Sequence, residues 1–116
     1  MHAAFAHPVP DGISDDAAAL LEPLSVGIWA CRKGRVTAGT RVLITGAGPI
    51  GLVSVQAARA FGATEVVVSD VNPARLELAR ELGATEVLDA RGRSATDLDR
   101  RPQVLLECSG TRRPAW

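Results

Sequence analysis

Short apolar runs alternate with amphipathic segments along most of this 116-residue chain. The runs are rich in valine, isoleucine and leucine, which is typical of strands buried on both faces of a parallel sheet. The segments between them repeat apolar residues at helical spacing, and glycines stand where those helices should end. The pattern predicts strands at residues 41–45, 65–69, 86–89 and 103–107, and helices at residues 52–61 and 73–82.

This order of elements predicts an α/β fold, because strands that alternate with helices form parallel sheets with right-handed crossovers. The expected architecture is a partial Rossmann (doubly wound) sheet of about four strands in the order 3-2-1-4, with an N-terminal helical segment. The polar stretch 91–102 predicts a loop with one frayed helical turn around residues 94–100. The helix at residues 73–82 is predicted to bury a face that carries Ala74, Leu78 and Leu82.

The first part of the chain has a different character. Its prolines and glycine predict a linker up to residue 13. Ser14 is the expected N-cap of a short helix, and Pro23 fits the first turn of a second one, which should run to about Arg32 with Gly34 at its C-cap. The buried face of this second helix is predicted to carry Leu24, Ile28 and Cys31.

Composition excludes several classes of partner and compartment. The chain has 13 basic and 13 acidic residues, so its balanced charge gives no reason to expect a nucleic acid or an anionic membrane surface. No apolar run is long enough for a membrane span, and the first residues do not resemble a secretory signal. Cys31 and Cys108 are far apart and form no CxxC pair, which predicts packed thiols in a cytoplasmic protein.

A glycine segment directly after the first strand suggests a phosphate-binding loop. It reads Gly46-Ala47-Gly48-Pro49-Ile50-Gly51 and opens a helix, the context that a dinucleotide fingerprint requires. Gly46 would allow the tight turn, Gly48 the approach of a pyrophosphate, and Gly51 close packing of helix and strand. The amides of Ile50 and Gly51 would face the phosphates, and Pro49 occupies a position whose amide is spare.

Asp70 stands where such a loop needs an acid, at the end of the second strand. It could accept hydrogen bonds from both ribose hydroxyls, and its charge would repel a 2′-phosphate, so NAD is favoured over NADP. Arg75 could flank the adenine or partly offset the charge of Asp70. The small residues Ser109 and Gly110 could let a cofactor pass near the backbone after the fourth strand. The alternative is that these glycines, together with Ser109-Gly110, serve only turns and that Asp70 only caps a helix.

Two segments carry a resemblance to a known family: Glu22-Pro23-Leu24-Ser25-Val26-Gly27 and Gly46-Ala47-Gly48-Pro49-Ile50-Gly51. Together they resemble the zinc-containing medium-chain alcohol dehydrogenases, within these the sorbitol (polyol) dehydrogenase branch. The resemblance extends from about Phe5 to Gly110. Its last part, Glu107-Cys108-Ser109-Gly110, is similar to the family segment that ends the fourth strand.

The resemblance implies NAD-dependent oxidation of a secondary alcohol, with zinc in the full-length parent and a homo-oligomeric assembly. It implies NAD contacts at Ile50, Asp70 and Arg75. The carboxylate that matches Glu22 would lie beside the catalytic zinc and touch the metal, its bound water or substrate. Without the resemblance, a glutamate before a helix proline is more often a cap than a ligand. Residues 1–36 would form a linker and junction helices, and residues 37–116 the N-terminal half of the NAD-binding domain.

The chain also departs from the family. Glu22 is the only zinc-site residue present, the nicotinamide half of the sheet is missing, and we therefore expect an inactive fragment. Its fourth strand should be an exposed edge that self-associates. Two other functions stay open: a zinc-free quinone or enoyl reductase of the same superfamily, and a non-catalytic dinucleotide-binding or interaction module.

Overall fold

Four parallel strands form one sheet in a computed structural model that describes residues 2–111. Their order across the sheet is β3-β2-β1-β4, which confirms the predicted α/β class and strand order. β4 therefore forms one edge and β3 the other. The strands are β1 (Arg41–Thr45), β2 (Glu65–Asp70), β3 (Glu86–Asp89) and β4 (Val104–Glu107).

The helices precede and connect these strands. They are α1 (Asp15–Ala19), α2 (Leu21–Lys33), α3 (Pro49–Ala60) and α4 (Pro73–Glu81), with short 3-10 turns at Ala3–Phe5 and Ala95–Asp97. The Ser14 hydroxyl accepts the Ala17 amide, which confirms the predicted N-cap of α1. α3 begins three residues before its predicted start, because the end of the glycine segment is itself helical. No helix within residues 2–111 is long and apolar enough to cross a membrane.

The two faces of the sheet are covered unequally. Val42, Ile44, Val66, Val68 and Leu106 belong to a large core cluster that also includes buried residues of α2, α3 and α4. The other face has a smaller cluster of Leu43, Val67 and Leu88, against which Ala95 and Leu98 of the segment before β4 pack. On β4, Leu105 stays 43% exposed. The edge strand thus presents an apolar side chain to solvent.

The predicted buried face of α2 is confirmed at Cys31 and wrong at Ile28, and that of α4 is wrong. α2 buries Gly27 and Cys31 and leaves Ile28 39% exposed. A Cβ at Gly27 would lie 3.1 Å from the Ser54 backbone nitrogen of α3, so α2 packs through this glycine rather than through its larger apolar residues. α4 buries two residues that were not predicted, Leu76 and Ala79, and leaves Leu78 41% exposed.

Gly34 occupies the C-cap of α2, as predicted. Its φ is right-handed at −74°, however, and Arg35 takes the left-handed conformation at φ 56°. A Cβ at Gly34 would lie 2.8 Å from Val104 Cγ1, so the glycine provides space for β4. α3 and α4 instead place Gly62 and Gly83 in the left-handed position, as their sequences predict.

Candidate functional site

The glycine loop, residues 46–51, joins β1 to α3 at the carboxyl edge of the sheet. Gly46 has a φ of 91°, which favours glycine, and its amide donates to the Ser69 carbonyl at 2.7 Å. A Cβ at Gly46 would lie 2.7 Å from the Cys108 carbonyl oxygen, and one at Gly51 would overlap the Gly46 carbonyl. Both positions therefore need glycine for the packing of loop, helix and strands.

Gly48 is different, because no steric contact among the described residues requires glycine there. Its φ is −75°, an ordinary value, and a Cβ there would meet no atom within 4 Å. Gly48 caps the N-terminus of α3 and faces open space. The absence of a side chain therefore leaves the backbone accessible to a ligand, which is the purpose predicted for this glycine.

The N-terminus of α3 supplies amide donors beside that space. The first helical bond runs from the Leu52 amide to the Gly48 carbonyl at 2.9 Å. The amides of Ile50 and Gly51 precede this bond, and amides at those positions have no intrahelical acceptor. Pro49 stands at the first helical position, exposed, where a missing amide costs nothing. The positive end of α3 is thus suited to an anionic group.

Asp70 ends β2 and touches the glycine loop directly. Its Oδ2 accepts the Ala47 amide at 2.7 Å and its Oδ1 accepts the Asn72 amide at 2.8 Å. The alternative in which Asp70 caps α4 is wrong, because the Asn72 side chain accepts the Ala74 and Arg75 amides. Each carboxylate oxygen of Asp70 keeps a lone pair beyond these bonds, which a ligand hydroxyl could use.

The remaining predicted contacts lie around the same edge. Arg75 is exposed in the first turn of α4, the helix that follows Asp70 along the chain. Ser109 and Gly110 follow β4, and Gly110 takes a φ of 63°. A Cβ added at Gly46 would lie 2.7 Å from the Ser109 Cα, so the turn after β4 packs closely against the glycine loop. The role of Arg75 beside the adenine remains a prediction.

Sequence reasoning missed the part that Glu107 plays. Its carboxylate accepts the Thr45 hydroxyl at 2.7 Å and the Ser109 amide at 2.7 Å, and the Ser109 hydroxyl also donates to it. Burial raises the pKa of the Glu107 carboxyl, but hydrogen bonds from Ser109 and Thr45 outweigh it, so the pKa lies below its usual 4.5. The signal was a charged residue that ends an otherwise apolar strand.

The two cysteines are structural. Cys31 is buried and Cys108 half-buried, both as free thiols, which confirms the predicted packing role. Burial is the main cause that raises the pKa of each thiol. Neither therefore has the low pKa of a reactive cysteine.

A zinc site cannot be built from the part of the chain that the structure describes. Glu22 lies in the first turn of α2 with an exposed side chain. Residues 2–111 contain no group of three or more His, Cys, Asp or Glu side chains that could hold a metal ion. A catalytic zinc takes three protein ligands, so these residues do not fit one.

Comparisons with known proteins agree with this geometry. Human sorbitol dehydrogenase is 45% identical over 94% of this chain and 33% of its own length. A Sinorhizobium meliloti 1021 protein bound to NADP superposes with a TM-score of 0.81, at 31% identity over 89% of this chain and 32% of its own. The short chain alcohol dehydrogenase of E. coli CFT073, complexed with NADH, superposes with a TM-score of 0.72. It is 34% identical over 76% of this chain and 26% of its own.

The chain thus spans about a third of the length of the curated relatives it matches. The model of the family described as zinc-binding dehydrogenase matches residues 49–114, more than half of the sequence. The resemblance based on the glycine segment is therefore confirmed, and the chain belongs to the zinc-binding dehydrogenase family.

Proposed function

We propose that this chain binds the adenosine half of NAD across the glycine loop. The observation that carries the proposal is the open space at Gly48, beside the amides of Ile50 and Gly51 and near the Asp70 carboxylate. The amides would bind the pyrophosphate, and Asp70 would accept hydrogen bonds from the adenosine ribose. Ser109 and Gly110 would line the path toward the nicotinamide.

The choice of NAD over NADP would rest on the charge of Asp70. The relatives include one structure bound to NADP and one complexed with NADH, so the family fold accommodates either cofactor. In this chain a 2′-phosphate would approach a carboxylate whose two oxygens already accept the amides of Ala47 and Asn72. The negative charges of the 2′-phosphate and the carboxylate would repel each other, which favours NAD. Arg75 would flank the adenine and offset part of the repulsion.

The proposed parent function is NAD-dependent and zinc-dependent oxidation of an alcohol or polyol. Identity to sorbitol dehydrogenases over 94% of this chain supports that class. Bound NAD supplies a hydride acceptor. Residues 37–116 would be the first half of the NAD-binding domain, residues 1–36 a junction to the catalytic domain, and Glu22 a residue near the zinc or the substrate. The chain on its own is expected to bind cofactor without turnover, because residues 2–111 hold no metal-ligand cluster.

Self-association through β4 is part of the proposal. β4 pairs only with β1 in the described sheet, and Leu105 on it is 43% exposed. An edge strand with an apolar side chain is a template for pairing with another chain. A second copy would cover it in the isolated chain, and the parent enzyme would be a homo-oligomer.

A cytoplasmic location is proposed from the cysteines. Cys31 and Cys108 are both free thiols within the described residues. Thiols persist most readily in reducing compartments.

Calorimetric titration of the chain with NAD⁺, and separately with NADP⁺, tests the proposed function. Saturable heat with NAD⁺, weaker binding of NADP⁺ and no NADH formed with sorbitol are the expected results. A chain that unfolds cooperatively on heating but binds neither dinucleotide would overturn the proposal. Zinc analysis of the full-length protein separates the zinc-dependent dehydrogenase from a zinc-free reductase. Turnover by this chain alone would refute the expectation that it is inactive.

A further inference from the structure

Two carboxylates flank the glycine loop from the strands on either side of β1. Asp70 ends β2 and accepts the Ala47 amide at 2.7 Å. Glu107 ends β4 and accepts the Thr45 hydroxyl at 2.7 Å. The proposed function uses Asp70 for the ribose and leaves Glu107 without a part.

Glu107 joins two segments that are far apart in sequence. Its Oε2 accepts the hydroxyl of Thr45, the last residue of β1, across a separation of 62 residues. Its Oε1 accepts both the amide and the hydroxyl of Ser109 in the turn after β4. Bonds to an ionised carboxylate are the stronger class of protein hydrogen bond. We refer to Glu107, Thr45 and Ser109 together as the Glu107 clamp.

The clamp lies where the loop leaves the sheet. The Cys108 amide donates to the Thr45 carbonyl at 2.8 Å, and the backbone at Cys108 and Ser109 packs within 2.7 Å of where a Gly46 Cβ would be. Within residues 2–111, β4 is an edge strand whose carboxyl end pairs with β1 alone. Strand ends of this kind open locally at low free-energy cost unless side chains hold them.

A local turn alone does not account for Glu107. Asp89 ends β3, the other edge strand, and it too accepts the amide two residues later, that of Arg91 at 3.0 Å. The oxygens of Asp89 are engaged by the Arg91 side chain of its own turn. Glu107 differs, because only its Oε1 is engaged by its own turn, at Ser109, while its Oε2 reaches across to Thr45 of β1.

We propose that Glu107 is a positioning residue, which holds the turn 108–110 against Gly46 and so fixes the glycine loop for the dinucleotide. The inference rests on the proposed function for its effect on NAD affinity. A loop held in its binding geometry loses less entropy when the ligand binds. Release of the clamp should therefore weaken NAD without any direct contact between Glu107 and the cofactor.

The test compares two substitutions at Thr45, which is buried at 1% exposure. Thr45→Val keeps the shape and removes the hydroxyl, whereas Thr45→Ser keeps the hydroxyl and removes a methyl group. The clamp predicts that Thr45→Val weakens NAD⁺ binding about fivefold or more, on the order of one lost charge-assisted hydrogen bond, and that Thr45→Ser binds like the parent chain. A packing role predicts the reverse order. If the unsubstituted chain binds NAD⁺, equal affinities in the two variants would overturn the clamp.

Hydrogen exchange in the chain without ligand separates failure of the clamp from failure of the proposed function. Thr45→Val and Glu107→Ala should speed exchange of the Gly46 and Ser109 amides about tenfold, while Thr45→Ser and the control Asp89→Ala leave these rates unchanged. If the unsubstituted chain binds no NAD⁺, this pattern of exchange rates would still support the clamp, and only the proposed function would fail. Uniform exchange rates in all variants would overturn the clamp whether or not NAD⁺ binds.

Discussion

The Asp70 carboxylate accepts the Ala47 amide at 2.7 Å, so the acid proposed to select the cofactor also holds the loop that would bind its phosphates. The second oxygen accepts the Asn72 amide, which leads into α4. Loop geometry and ribose recognition are thus linked through one side chain. Substitutions at Asp70 should change both stability and cofactor choice.

Asp70→Ser removes the charge and the carboxylate oxygen that accepts the Ala47 amide. We expect a loss of about 1–3 kcal/mol in the free energy of unfolding, because Ala47 is buried. NAD⁺ affinity should fall about tenfold or more while NADP⁺ affinity changes less, since repulsion of the 2′-phosphate is removed. Urea unfolding and calorimetry measure the two effects. Asp99→Ser, at an exposed carboxylate between β3 and β4, is the control, and an unchanged ratio of the two affinities would contradict the role of Asp70.

The end of α2 offers a pair of substitutions with opposite signs. Gly34→Ala should destabilise by about 1–3 kcal/mol, because the new Cβ would lie 2.8 Å from Val104 Cγ1. Arg35→Gly should stabilise by about 0.5–1 kcal/mol, because it relieves a left-handed conformation at φ 56°. Thermal and urea unfolding measure both. A stable Gly34→Ala chain would mean that α2 does not pack against β4 in this way.

The lowered pKa of Glu107 predicts a pH dependence of stability. A carboxylate with a folded pKa below its unfolded value of 4.5 contributes stability above that value, and the contribution disappears as pH falls through the folded pKa. The difference in unfolding free energy between the parent chain and Glu107→Gln should therefore be constant near neutral pH and shrink below about pH 4.5. Asp89, whose pKa is lowered to about 2 by Arg91, is common to both chains and cancels. A difference that grows in acid has the wrong sign for this account.

Self-association should depend on the edge strand. Leu105→Lys places a charge on β4, where an incoming strand would have to bury it, so the sedimentation coefficient should fall to that of a monomer. Leu78→Lys is the matched control, because Leu78 on α4 is 41% exposed, close to the 43% of Leu105. Association through β4 would be contradicted if the unsubstituted chain sediments as a monomer, or if the two lysine substitutions change the sedimentation coefficient equally.

The sequence was most informative where local pattern and tertiary environment agree. The limits of β1 and β3 were predicted to the residue, because apolar runs between turn residues are buried by helices and neighbouring strands. The glycine loop was predicted because Gly46 and Gly51 each meet a backbone requirement, and Gly62 and Gly83 end their helices as expected.

What escaped prediction depends on contacts between distant segments. The buried face of α2 is set by Gly27 against α3, and the left-handed position falls on Arg35 because Gly34 is needed beside Val104. The Glu107 clamp requires β4 to lie next to β1 and their carboxyl ends to coincide. Periodicity along one helix or strand contains none of these distances.

The most direct test of the account is NAD⁺ affinity in Gly48→Ala beside Gly92→Ala. A Cβ meets no atom within 4 Å at either position, so both chains should fold, and Gly48→Ala should lose at most about 1 kcal/mol because alanine is the poorer N-cap of α3. Only the first methyl group would occupy the space proposed for the pyrophosphate, while Gly92 lies in the segment after β3. We predict that Gly48→Ala weakens NAD⁺ binding about tenfold or more and that Gly92→Ala leaves it unchanged. Equal NAD⁺ affinities in the two variants would contradict binding at the glycine loop.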